Sequence, residues 1–173
     1  ASGFTARYLA IEMRAAGYEL HGLARSVVPL PEFHALHRAD LENADSLLSV
    51  LEQVQPQFVV HLAAISFVAH GDADEIYRVN LLGTRRLLAA LSKAAVKPDA
   101  VLLASSANVY GNTQMECLTE DTSPAPANDY AVSKMAMEYV AALYRARLPV
   151  IITRPFNYTG VGQSASFLLP KII

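Results

Sequence analysis

The chain has 173 residues, 53% of them apolar, enough for one domain with a real core. A net charge of −2 gives no electrostatic reason to expect nucleic acid or an anionic membrane as partner, and no apolar run reaches the length of a membrane span. The lone cysteine, Cys117, excludes an internal disulfide and fits a reducing compartment, so a soluble cytoplasmic protein is expected.

Residue 1 is not a methionine, and Ala1-Ser2-Gly3-Phe4 passes directly into a helical pattern. The apolar spacing predicts a helix over 4–16, with Gly17 as its stop. A short strand is expected over 18–24 and another over 33–39, followed by a helix over about 43–54. The apolar run 58–64 reads as a strand buried on both faces, and a long helix is expected over 74–95. A second buried strand, 100–104, ends in Ser105-Ser106, and the polar stretch 111–128 is a loop long enough to suggest function. Helix 129–148 follows, and then a third buried strand over 150–154, stopped by Pro155. The closing run from Phe167 to Ile173 carries no stop signal, so both ends read as cut from something longer.

Strands alternating with helices at this spacing imply an α/β fold with a parallel sheet covered on both faces, in which ligands bind beyond the carboxyl ends of the strands. On helix 129–148, Tyr130 and Lys134 stand four apart and so share a face. A neighbouring ammonium lowers a phenol's pKa from about 10, which makes the pair a candidate proton donor or acceptor. His34 and His37 are three apart in an apparent strand and point to opposite faces, so no metal site is expected there.

Four features occur in one order: Gly3-Phe4-Thr5-Ala6 opening a helix; Ser105-Ser106-Ala107-Asn108-Val109-Tyr110-Gly111 ending a strand; Tyr130-Ala131-Val132-Ser133-Lys134 starting a helix; and Arg154-Pro155-Phe156-Asn157 ending the next strand. Together they resemble the extended short-chain dehydrogenase/reductase family of nucleotide-sugar epimerases, dehydratases and reductases. The resemblance implies a Rossmann-like, doubly wound sheet. Residues 1–160 would be an NAD(P)-binding domain lacking its first strand, and 161–173 the start of a substrate-binding lobe. In the family's G-x-x-G-x-x-G fingerprint, Gly3 matches the second glycine, Ala6 stands at the third, and the first falls before residue 1. The isolated fragment is therefore expected to bind cofactor poorly.

The resemblance makes Tyr130 the acid/base, Lys134 the group that holds the nicotinamide ribose and lowers the tyrosine pKa, and Ser106 a hydrogen-bond donor to the reacting substrate oxygen. It also places Gly3, Phe4, Asp40, Leu41, Leu62, Ala63, Ala64, Asn80, Ala104, Ser105, Pro155 and Phe156 around the cofactor. Ser66, Asn108 and Asn157 fall on the sugar-nucleotide side. Ala24-Arg25-Ser26 follows the second family strand, where NAD-selective sites offer a carboxylate; a guanidinium and a hydroxyl suit a 2′-phosphate, so NADP(H) is favoured over NAD(H). The family's homodimer is expected to form through helices 74–95 and 129–148.

Family dehydratases commonly carry an acidic pair after the catalytic hydroxyl, where this chain has Ala107 and Asn108, which argues against dehydration. The stretch 154–163 looks most like reductases acting on GDP-4-keto-6-deoxymannose, although such reductases often keep a glutamate where Asn108 stands. A 4-epimerase with tightly bound NAD is the alternative. A non-catalytic NAD(P)-sensing regulator is the alternative from another class; such proteins typically lose the Tyr or Lys, and both are present here.

Overall fold

The computed structural model describes residues 1–26, 29–66 and 71–172. Ile173, the end of the expected lobe start, lies outside the described residues. Helix α1 (Phe4–Ala15) begins at an extended Gly3. It ends where Gly17 adopts φ +87°, a conformation that costs glycine little. Strands β1 (His21–Ala24) and β2 (Ala35–Arg38) pair in parallel, His21 opposite Ala35. Helix α2 (Ala44–Val54) is capped by Asn43, whose Oδ1 accepts from the Ser46 N–H at 2.9 Å.

Strands β3 (Phe58–His61), β4 (Ala100–Ala104) and β5 (Val150–Thr153) form a second parallel sheet in the order β3-β4-β5. Between β3 and β4 runs one helical stretch in three parts: α3 (Ala73–Tyr77), a π turn (Arg78–Gly83) and α4 (Thr84–Lys93). The expected single helix over 74–95 is thus corrected. The reason lies in what is buried: Ile76, Asn80, Thr84 and Leu88 all lie inside, at 2%, 1%, 1% and 0% exposure. On an unbroken α-helix the first and last of these would stand roughly 120° apart around the axis. The wider π turn, about one residue longer per turn, takes up that rotation.

Helix α5 (Asp129–Ala142) is capped by Asn128 and ends in turns rather than running to 148, and a short α6 (Leu168–Ile172) forms within the closing apolar run. Leucines of α2 and α4, Val101 and Leu103 of β4, and Met137 and Ala141 of α5 form the core on one face of the sheet. The other face is more open, which corrects the expectation of strands buried on both sides: Phe58, Val60 and Ile151 are exposed there. Strand β3 also ends at His61, before the expected 64, and His34 precedes β2, accepting from the Leu20 N–H. Among the described residues β1 pairs only with β2 and β3 only with β4, so the expected sheet is in two pieces. Tyr18 and Phe58, just before β1 and at the start of β3, meet edge to face across the seam.

Candidate active site

The carboxyl ends of β3, β4 and β5 converge on the first turns of α5. Asn128 holds the Ala131 N–H at 2.9 Å, and Tyr77 donates to Asp129 at 2.9 Å, so the start of α5 is fixed from two sides. Tyr130 is 8% exposed and Lys134 5%. The Lys134 Nζ lies 5.9 Å from the centre of the Tyr130 ring and donates to the Ala104 carbonyl at 2.7 Å.

Burial pushes the Tyr130 phenol above its ordinary value; the Ser106 side chain, hydrogen-bonding to it, pulls the other way, and the nearby Tyr158 raises it further. The net shift is upward, with burial the largest cause, where a downward pull from Lys134 was expected. With its ammonium turned to the Ala104 carbonyl, the lysine is itself brought down to about 8 by burial.

Ser106 begins a 3-10 turn (Ala107–Tyr110), and its Oγ accepts from the Asn108 N–H at 3.2 Å. Backbone bonds from Ser105 N to Thr153 O (2.8 Å) and from Ala107 N to Pro155 O (3.0 Å) carry the pairing of β4 with β5 past the strands and bring Pro155 beside the serines. Ser105 donates to Glu138, one turn beyond Lys134 on α5. Glu138 receives Arg154 through Nε (2.9 Å) and Nη2 (2.6 Å), while Nη1 of the same guanidinium donates to the Tyr110 hydroxyl at 2.9 Å. This group ties β4, α5, β5 and the 3-10 turn together behind Ser106.

The loop that follows is docked, not splayed. Ala125 N bonds Val109 O at 2.9 Å, and Gly111, at φ +66°, lies so close to Ala125 that a Cβ would stand 1.9 Å from its carbonyl oxygen.

On the opposite rim, α1 opens with no capping side chain and no acidic residue in its first turn, and a Cβ at Gly3 would meet nothing within 4 Å. Free N–H groups, the positive end of the helix dipole and open space suit a phosphate. Phe4 stacks on Tyr158, whose hydroxyl bonds Thr5 Oγ1 at 2.6 Å.

Asn80, in the π turn, accepts from Ile65 N (2.8 Å) and donates to Ile65 O (3.0 Å) and Ser133 Oγ (3.1 Å). It therefore braces the segment Leu62–Ser66 against α5. Leu41 packs against Gly83 of the same turn, and Asp40 receives the Glu42 N–H. The structure thus gathers Ser105, Ser106, Asn108, Tyr130, Lys134, Asn80, Ala104 and Pro155 into one cluster. Arg25, Ala63, Ser66, Phe156 and Asn157 are exposed and lie outside that cluster, at or beyond strand ends.

Sequence reasoning missed Glu138, Tyr110, Tyr158, His61 and Thr84. The spacing of Glu138 four after Lys134 was visible, but its half-buried partner Arg154 is brought to it only by the fold.

The family model described as "NAD dependent epimerase/dehydratase family" matches residues 1–173. The chain is 40% identical over 134 residues to GDP-6-deoxy-D-talose 4-dehydrogenase from Aggregatibacter actinomycetemcomitans, covering 78% of this chain and 46% of that protein. It is 36% identical to GDP-6-deoxy-D-mannose reductase from Pseudomonas aeruginosa, covering 97% and 53%. The chain therefore spans about half the length of these curated relatives.

Among solved structures, a candidate epimerase from Burkholderia cenocepacia J2315 superposes with a TM-score of 0.91 at 50% identity, covering 99% of this chain and 56% of that one. RMD from Pseudomonas aeruginosa complexed with NADPH gives 0.76 at 33%, covering 96% and 55%. UDP-glucose 4-epimerase from Thermus thermophilus in complex with NAD gives 0.84 at 26%, covering 95% and 55%.

Proposed function

The chain belongs to the NAD dependent epimerase/dehydratase family, the extended short-chain dehydrogenases/reductases, and from that membership we propose that its protein is an NAD(P)-dependent nucleotide-sugar oxidoreductase reducing the C4 keto group of a GDP-4-keto-6-deoxyhexose. The observation that carries this reading is the buried set of Tyr130, Lys134 and Ser106 at the ends of α5 and β4. The GDP-6-deoxyhexoses in the names of two relatives support the substrate class.

The opening of α1 at Gly3 and Phe4 would receive the pyrophosphate of a dinucleotide, and Lys134 the nicotinamide ribose. The bound nicotinamide supplies or accepts a hydride. The chain's own residues handle the proton. Ser106 holds the keto oxygen, and Tyr130, kept protonated by its burial, donates its phenolic proton to that oxygen as it gains charge. A phenol poised as an acid suits reduction. With Ala107 and Asn108 after Ser106, the chain offers no carboxylate there for a dehydration.

Arg25, exposed just past β1, supports NADP(H) over NAD(H), as does the likeness to RMD complexed with NADPH. An NAD-retaining 4-epimerase is the second reading, favoured by the likeness to the candidate epimerase. An apolar stripe on α5, with Val132, Tyr139 and Leu143 exposed at 38%, 67% and 71%, supports a homodimer. No helix among the described residues is long and apolar enough to cross a membrane, and the exposed free thiol of Cys117 suits a reducing, cytoplasmic setting.

The test follows NADPH absorbance in the complete protein with GDP-4-keto-6-deoxymannose. Consumption is expected, with Tyr130→Phe about 10²–10⁴-fold slower. Retained activity in that variant removes Tyr130 from its role. No consumption, with tightly held NAD released on denaturation, moves the reading to the epimerase.

A further inference from the structure

The π turn is held from beneath by two buried residues that the proposed mechanism does not use. His61, the last residue of β3, is 7% exposed, and its Nε2 lies 2.9 Å from Thr84 Oγ1. Thr84, 1% exposed, donates that hydroxyl's proton to the Asn80 carbonyl at 2.7 Å. A hydroxyl has one proton, so toward His61 it accepts. The ring therefore carries its hydrogen on Nε2.

From Asn80 the bonding continues outward. Its side-chain amide uses the oxygen on Ile65 N and its two N–H groups on Ile65 O and Ser133 Oγ, and Ser133 Oγ donates to the Tyr130 carbonyl at 2.7 Å. A single run of hydrogen bonds thus leads from the end of β3, through the π turn, to the backbone of Tyr130. Every side chain along it is buried, and Thr84, Asn80 and Ser133 each have both ends engaged, which leaves the run little slack.

We infer that His61 and Thr84 are positioning residues, whose mutual hydrogen bond holds the π turn in the register that aims Asn80 at Ile65 and Ser133 and so sets Tyr130 against Ser106. The hydroxyl of Thr84 is the keystone, because it bonds both His61 and the backbone of the turn. Without it the helix is free to relax toward regular α-helical pitch, which carries Asn80 away from Ile65. The neutral state of the ring accords with this: burial and the nearby Lys134 ammonium hold His61 at about 3. The inference rests on the oxidoreductase reading for its kinetic consequence, though not for its structural one.

Thr84→Val keeps the shape and removes the hydroxyl; Thr84→Ser keeps the hydroxyl and removes only a methyl. In the complete protein, Thr84→Val is expected to lower kcat about tenfold or more while leaving the NADPH Kd, followed by fluorescence titration, within about twofold. Thr84→Ser restores kcat to within about threefold of the parent. His61→Leu, without a donor, should fall with Thr84→Val, whereas His61→Gln retains an N–H and most of the activity.

Amide hydrogen exchange adds a readout that needs no turnover. Thr84→Val should speed exchange of the Ile65 amide and the 78–84 segment without a matching loss of protection in β4. Wild-type kcat in both Thr84→Val and His61→Leu, or unchanged exchange at Ile65, overturns the inference. A parent protein that turns over no nucleotide sugar while Thr84→Val still loosens Ile65 overturns the functional reading and leaves this one standing.

Discussion

Lys134 is a cation enclosed by the elements it serves, and its enclosure has a consequence for stability. Its folded pKa is about 8 against an ordinary 10.5. Between those values the unfolded chain holds a proton that the folded chain has released, so stability rises as pH climbs through that window. In the cofactor-free protein, the parent's melting temperature from about pH 7.5 to 9.5 should gain on that of Lys134→Met, which has no such proton to release. Parallel profiles would mean that the ammonium is solvated. At this scale the sequence was most readable where spacing fixes neighbours: Tyr130 beside Lys134 on one helix face, and Ser106 at a strand end. Three-dimensional burial was not readable, and burial is what raises the Tyr130 phenol above its ordinary value.

Among the elements, α5 and β5 are joined by the Glu138–Arg154 pair, with side chains 9% and 18% exposed. A charge so placed is costly to strand. Glu138→Ala should lose about 3–5 kcal/mol in urea unfolding, and Glu138→Gln, which still accepts from Ser105 and Arg154, clearly less. Equal losses in the two variants would show that the carboxylate's charge, not the hydrogen bonds it accepts, dominates. Element order was legible because apolar runs and caps such as Asn43 and Asn128 have local causes. The π turn was not read, although its signal was present: Ile76, Asn80, Thr84 and Leu88 recur every four residues, a spacing that no regular α-helix keeps on one face. The two polar residues in that series hid it.

For the whole molecule, the stripe on α5 predicts assembly. Tyr139→Glu places a charge at its centre, and the complete protein should then sediment as a monomer while the parent sediments as a dimer; a dimeric variant would move the interface elsewhere. The alternation of strands and helices gave the parallel architecture, and the division of the sheet agrees with the expectation of a domain lacking its first strand. That division leaves β1 and β3 each with an edge that no described strand occupies, although Ala1 reaches the Leu23 carbonyl of β1 with its amine at 2.9 Å. Across that seam the sheets touch through side chains, Tyr18 meeting Phe58 ring edge to ring face, where a continuous sheet would be joined through backbone bonds.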